Sequence, residues 1–442
     1  MPIAIIVQDT YKDVDVIICL PYGSGHLELP ILDDNRRVDL LLPVKFKQKT
    51  ESDPGKLVSD ALTSPLGVRS PFVGLGNQSR IAITVNDKTR PVPNNLLINP
   101  LIDKLLTHGV LKENITIFIA SGTHLPMRPD EFSLILSEEI TQNFKIIPHN
   151  CDDETKLYEI GQTIRGTPVA VNREFINHDL KIVVGDIELH HFAGFSGGVK
   201  SAAIGMCSRQ TINTNHRLLL DPASTIGSYS ENPLRQDIEE IGRMIGVYLA
   251  LNAVLDENKQ ILQVFFGEPV SVMAEGINLV NQISQVETSG LYDVVIASAG
   301  GFPKDINLYQ AQKAMTHAAQ FCRRGGLILL FAECREGAGS QGYLDFMDGL
   351  ETPTQVIDKF SREGFSVGPH KAYQVTRILE KCQVFLRSSI PDVLVNSLLL
   401  TPLAVNVDLD KFIQQYAPGA PKIAILPFAT AVLPRFAGGK ND

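Results

Sequence analysis

The chain has no run rich in lysine and arginine, no C-x-x-C pair, and no apolar stretch long enough to span a bilayer. Each absence removes a class of function. Its 40 Lys and Arg stand against 49 Asp and Glu, a formal charge of −9. That balance argues against a nucleic-acid or anionic-membrane partner, since both require a cationic surface. The six cysteines (19, 151, 207, 322, 334 and 382) are scattered. This is the pattern of reduced thiols in a cytoplasmic protein, not of a disulfide framework or a zinc knuckle. The longest apolar stretch, Gly326–Ala332, falls far short of the ~20 residues a membrane helix needs. The first residues carry no basic region, and Asp9 interrupts their apolar start, so no signal peptide is expected. A cytoplasmic enzyme is the expectation that remains.

At 442 residues the chain is long enough for two or three domains, and 44% hydrophobic with 20% charged residues is an ordinary globular balance. Short β-branched runs recur at Val14–Leu20, Ile81–Val85, Ile115–Ala120, Lys181–Val184, Asp293–Ala297, Gly326–Ala332 and Ile423–Pro427. Helix-like segments fall between them, at Asn95–Thr107, Asp130–Leu136, Pro233–Ile245 and Val272–Ser284. Alternation of this kind predicts an α/β protein with mainly parallel sheets. Turn-rich stretches near 287–291 and 416–421 divide it into two domains. One takes 1–287 together with a returning segment, 417–442; the other takes 288–416. Polar, glycine-rich loops follow five of the strands, at Pro21–His26, Asn86–Arg90, Ser121–His124, Gly185–Lys200 and Ala299–Lys304. Ligands bind beyond the carboxyl ends of such strands, so an active site in an interdomain cleft is expected.

The densest cluster of chemistry is Glu188–Ser201, with two adjacent histidines, a Gly-rich turn and Lys200. Successive backbone N–H groups in such a turn form an anion nest. Gly194–Ser201 approaches the P-loop pattern but carries Val199 where that motif has its second glycine, and an ordinary loop with a surface lysine accounts for it as well. His124, His190 and His216 are the imidazoles available for acid/base work or for zinc, although they lie far apart in sequence. Arg90, at a strand end, suits either capture of a carboxylate or an ordinary ion pair. Gln310 and Lys313, spaced i, i+3, share a helix face that suits an oxyanion or plain solvent.

Taken in order, D-x-T-R-P (Asp87–Pro91), S-G-T-H (Ser121–His124), H-H-F-A-G-F-S-G-G-V-K (His190–Lys200), His216, and G-G-x-P-x-D…Y-Q-x-x-K (Gly300–Lys313) resemble the nickel-pincer lactate racemase family. Gly368–Tyr373 is similar to a further family stretch, and the likeness runs from about Tyr22 to the end of the chain. The resemblance implies a pyridinium-3-thioamide-5-thiocarboxylic acid mononucleotide holding nickel in an S,C,S pincer. It implies Lys200 as the covalent tether and His216 as the fourth nickel ligand. Asp87, Ser196, Gly197 and Gly198 would hold the nucleotide, with Tyr309 packed beside it. His124 and His190 would be the acid/base pair, and Arg90, Gln310 and Lys313 would grip the substrate carboxylate. The implied reaction is racemisation or epimerisation of a 2-hydroxy acid by transient hydride transfer, and the implied partners are the proteins that assemble the cofactor. With no tryptophan in the chain, His191 and Tyr373 are the candidates for the wall that reads the substrate side chain. Two rival readings stand beside this one. They are a zinc-dependent hydrolase using His124, His190 and His216, and a non-catalytic protein that binds the nucleotide or a hydroxy acid.

Overall fold

The structure is a computed structural model that describes residues 6–10, 13–32, 38–44, 53–90, 92–256 and 259–436. Pro91 of the D-x-T-R-P segment lies outside them, as do residues 1–5 and 11–12 of the N-terminal stretch and residues 437–442 of the returning segment. The chain divides into two compact units: Phe46–Gln282, and Met1–Lys45 with Ile283–Asp442.

The Phe46–Gln282 unit is built on a six-stranded sheet. Its order is Ile261–Gly267, Leu249–Leu255, Leu180–Asp186, Ile81–Asn86, Ile115–Ala120 and Lys145–Pro148. Every pairing is parallel except that of Ile261–Gly267 with Leu249–Leu255. Leu180–Asp186 is buried at all seven positions, as befits a parallel strand covered on both faces. That is why its sequence reads as a continuous apolar run instead of an alternating one. On one face the helix Asn94–Thr107 turns Leu97, Ile98, Leu101, Ile102 and Leu105 into a core shared with Ile81, Ile83, Ile115 and Ile117. The expected helix at 130–136 is a single 3-10 stretch, Pro129–Leu134. Lys200, directly after the glycine turn, opens a helix of only four residues, Lys200–Ala203.

The other unit carries a six-stranded, wholly parallel sheet. Its order is Thr401–Pro402, Gln383–Arg387, Cys322–Phe331, Tyr292–Ser298, Ile423–Leu426 and Val38–Leu40. This corrects the expected division of the chain. The returning strand Ile423–Leu426, buried at every position, pairs with Tyr292–Ser298 and carries Val38–Leu40 on its outer side. Residues 1–45 and the described part of 417–442 therefore belong with the smaller domain. In the larger unit Ile81–Asn86 and Leu180–Asp186 already have neighbours on both sides, whereas the strand at 292–298 needs a second partner. The boundary moves to 282/283, because Gln285–Thr288 pairs with Leu433–Phe436.

The strand expected at 14–20 is also differently employed. Asp13–Tyr22 forms an antiparallel three-stranded sheet with Ile6–Thr10 and Gly25–Leu32. The two-residue Gly23-Ser24 turn joins the hairpin, with Gly23 at φ +55°, a tight reversal that favours glycine. No helix of the described residues is long and apolar enough to cross a membrane.

Candidate active site

Three of the five polar loops follow neighbouring strands of the Phe46–Gln282 unit, and parallel pairing sets their carboxyl ends along one edge. The other two belong to the second unit, where Phe302 N–H donates to Gly23 O (2.8 Å) and Gly23 N–H to the buried Asp305 carboxylate (2.7 Å).

After Ile81–Asn86 the chain turns at Asp87. Its side chain is almost fully buried, and Oδ1 accepts from Thr89 N–H (3.0 Å) and Thr89 Oγ1 (2.5 Å). Oδ2 faces His124 Nδ1 at 2.7 Å. Burial alone would push the Asp87 carboxyl up, but the His124 and Thr89 hydrogen bonds outweigh it and hold the group below its ordinary range. A carboxylate can only accept, so His124 Nδ1 carries a proton, and the neutral tautomer compatible with this contact has its lone pair on Nε2. His124 is half exposed and is delivered by the turn after Ile115–Ala120, where its N–H donates to Ser121 O. Asp87, whose implied role is on the nucleotide, thus turns its side chain to His124, for which the resemblance implies an acid/base role. Arg90 is exposed and makes no ion pair among the described residues, and its charge acts on Asp186, His190 and Lys200.

His190 sits in a short hairpin that pairs Leu189–His190 with Gly194–Phe195. It is buried, and Ala193 N–H donates to its Nδ1 (3.2 Å), which places the proton of the neutral ring on Nε2. Burial, helped by the charges of Lys200, His191 and Arg90, holds it well below the usual imidazole range. His191 stacks on it at 4.6 Å. Gly194, the first glycine of the P-loop-like segment, serves packing. Its φ is +73°, and a Cβ there would lie 1.7 Å from Ser228 O.

The Ser196 hydroxyl closes its own loop, donating to Asp186 O (3.0 Å) and accepting from Glu188 N–H (2.9 Å). Gly198 N–H donates to Asn252 Oδ1 (2.8 Å), and Arg235 binds Phe195 O (3.0 Å) and Gly197 O (3.1 Å). Asn252 and Arg235, both buried, are the residues that sequence reasoning missed. Arg235 and Glu239 form an i, i+4 pair on the strongly amphipathic helix Pro233–Ile245, which is the signal that could have drawn notice to them. The Lys200 ammonium makes no hydrogen bond or ion pair among the described residues. Burial, with Arg90 and Arg235 nearby, lowers its ammonium to about 7. Burial lowers His216 to about 3, so its imidazole is neutral.

The three histidines do not form a zinc site. Among the described residues the group of three whose donor atoms lie within 4.8 Å of one another is Cys19, His26 and Glu28, in the other unit. In that unit Tyr309, Gln310 and Lys313 lie half-buried on the first turns of Leu308–Phe321, and Asn307 caps the helix through Gln310 N–H (3.1 Å). Lys371 sets its ammonium over the Tyr309 ring at 4.7 Å. Tyr373 is buried, stacks on Phe360 at 4.9 Å and accepts from Arg377, so it packs helices and is not a pocket wall.

The Asp87–His124 pair and the buried His190 follow strands of one parallel sheet, the place where α/β enzymes bind their ligands. The lactate racemase N-terminal domain model matches residues 22–227, and the lactate racemase C-terminal domain model matches residues 288–432. The lactate racemase of Lactiplantibacillus plantarum is 31% identical over 346 residues, which is 78% of this chain and 81% of that protein. That of Thermoanaerobacterium thermosaccharolyticum is 28% identical over 422 residues, 94% of this chain and 98% of that protein. The chain belongs to the lactate racemase family, and it is an isomerase. The solved lactate racemase apoprotein from Thermoanaerobacterium thermosaccharolyticum superposes with a TM-score of 0.86 at 27% identity, covering 95% of this chain and 100% of that one. A Thermotoga maritima structure shares the fold, with a TM-score of 0.63 at 18% identity over 89% of this chain and 100% of that one.

Proposed function

We propose that this protein interconverts the enantiomers of lactate, or of a closely related 2-hydroxy acid, in the cytoplasm, using a nickel-pincer nucleotide tethered to Lys200. The observation that carries the reading is the Asp87–His124 contact of 2.7 Å, with neutral His190 and His216 and the lowered Lys200 ammonium in the same unit. The donor set fits the group. A lysine ammonium lowered to about 7 supplies the neutral amine that a thioamide bond requires, and a neutral imidazole is the form that ligates nickel. When bound, the nucleotide, tethered by Lys200 and with its nickel ligated by His216, would supply reversible hydride-acceptor chemistry at the substrate carbon.

His124 takes the hydroxyl proton at Nε2, and Asp87 steadies the imidazolium that forms. His190 is the second acid/base group. In the neutral ring its Nε2–H hydrogen-bonds to the substrate oxygen; it returns a proton to that oxygen only from the imidazolium form, and it takes one only after the ring proton shifts to Nδ1, opening the Ala193 contact. Inversion would require the planar 2-keto acid to re-orient within the site and present its other face. Carboxylate binding is assigned to Arg90, Gln310 and Lys313 on the strength of the resemblance. His191 is the remaining candidate for the side-chain wall.

The test uses protein made together with the cofactor-assembling proteins and supplied separately with each lactate enantiomer. Chiral analysis is expected to show both samples converging on an equal mixture. Protein that carries nickel and the adduct, yet interconverts neither lactate nor other 2-hydroxy acids, overturns the reading. Stoichiometric zinc without an adduct likewise overturns it.

Asp87→Asn removes a charge-assisted hydrogen bond worth about 1.5–3 kcal/mol, or roughly 10- to 150-fold. Its kcat, measured per bound nickel, is expected to fall by that factor. An unchanged kcat would mean that His124 does not work through Asp87.

A further inference from the structure

His216 and Asn215 end the helix Arg209–Arg217, and both are buried, Asn215 completely. Asn215 Nδ2 faces two acceptors, Leu234 O at 3.1 Å and Asp237 Oδ2 at 2.8 Å. A backbone carbonyl cannot donate, so the amide's NH₂ must point this way and its oxygen must point the other. That oxygen meets His216 Nδ1 at 3.0 Å. An amide oxygen only accepts, so Nδ1 must carry the ring's proton. The lone pair of neutral His216 is then on Nε2.

Asp237 is itself held from outside the helix pair. Thr163 Oγ1 donates to its Oδ1 (2.6 Å) and Thr167 Oγ1 to its Oδ2 (2.9 Å). Asp237 is completely buried, and the two threonines nearly so. They flank the turn that joins the Leu157–Gln162 and Pro168–Asn172 strands. The Phe192 ring packs against His216 in a T-shaped contact, ring centroids 5.2 Å apart. Leu234 O fixes which way the Asn215 amide points and thereby the His216 tautomer, while Asp237, held by Thr163 and Thr167, anchors the same amide nitrogen.

We propose that Asn215 and Asp237 are positioning residues that lock His216 in its Nδ1–H tautomer, so that Nε2 is the nitrogen it offers to nickel. This rests on the metal-ligand reading of His216 above. A bound histidine whose second nitrogen donates to a fixed acceptor keeps its ring orientation, and loss of such a partner typically costs 10- to 100-fold in metal affinity.

Two measurements test it. Long-range ¹⁵N–¹H spectra of histidine-labelled, cofactor-free full-length protein report the tautomer directly. Wild type is expected to show His216 protonated on Nδ1, and Asn215→Leu to lose that state. In protein loaded with the cofactor, nickel loss to a chelator is expected to be 10- to 100-fold faster in Asn215→Leu and in Asp237→Asn. Thr163→Val, which leaves the Asn215 contacts in place, should keep the wild-type tautomer and so separates loss of packing from loss of positioning. A wild-type His216 protonated on Nε2 overturns the proposal, as does Asn215→Leu protein that retains nickel like the wild type. Nickel retained in His216→Ala overturns the metal-ligand reading instead, and the two failures are told apart by which variant shows them.

Discussion

Lys200→Ala protein, produced beside the cofactor-assembling proteins, is expected to carry no covalent adduct and to show no turnover. The ammonium lowered to about 7 leaves near half of Lys200 as free amine at neutral pH, against roughly one in 2,500 for an ordinary lysine. Intact mass, followed by peptide mapping, locates the adduct. Lys200→Arg, which keeps the charge and loses the nucleophile, should be equally empty. An active Lys200→Ala would remove the tether from the proposal. The same burial has a consequence for stability. The folded-state value lies below the unfolded one, so between about 7 and 10.5 the folded chain holds fewer protons than the unfolded chain. Stability therefore rises with pH across that window. Lys200→Met should flatten the rise and increase Tm at pH 7, which thermal melts at pH 7 and pH 9 would show.

Arg235→Met is expected to destabilise the Phe46–Gln282 unit by about 3–5 kcal/mol, the cost of leaving one partner of a buried ion pair uncompensated. The guanidinium reaches Glu239 Oε1 through Nε (2.9 Å) and through the second terminal nitrogen (2.6 Å). It also holds the carbonyls of Phe195 and Gly197. Truncation strands the Glu239 carboxylate and frees the loop that carries Ser196–Lys200. Against a total stability of roughly 5–15 kcal/mol for a domain, that is a large fraction. Chemical denaturation measures it, and adding Glu239→Gln should restore part of the loss because no isolated charge then remains. A change below about 1 kcal/mol in Arg235→Met would show that the pair is not sealed from water.

The chain's own order of residues determined the class of fold and the ingredients of the site. Buried parallel strands need apolar side chains on both faces, so Ile81–Val85, Ile115–Ala120 and Lys181–Val184 announce themselves whatever lies around them. Loops that follow such strands need glycine and polar groups, and His124, His190 and Lys200 stand out there for the same reason. The family segments are legible because each is contiguous.

Which residues meet was decided only by the tertiary structure. Asp87 and His124 are 37 residues apart, Arg235 and Gly197 are 38 apart, and Asn215 and Asp237 are 22 apart. Nothing local distinguishes these carboxylates and amides from solvated ones, because their partners arrive through sheet register and helix docking. The returning strand Ile423–Leu426 shows the same limit at the scale of a sheet. Its apolar run suits the centre of either sheet, and only the unfilled side of Tyr292–Ser298 selects its place. Backbone pairing satisfies N–H and C=O groups equally well wherever a parallel neighbour is free, so the run specifies that it will be a buried strand and the rest of the fold specifies whose neighbour it becomes.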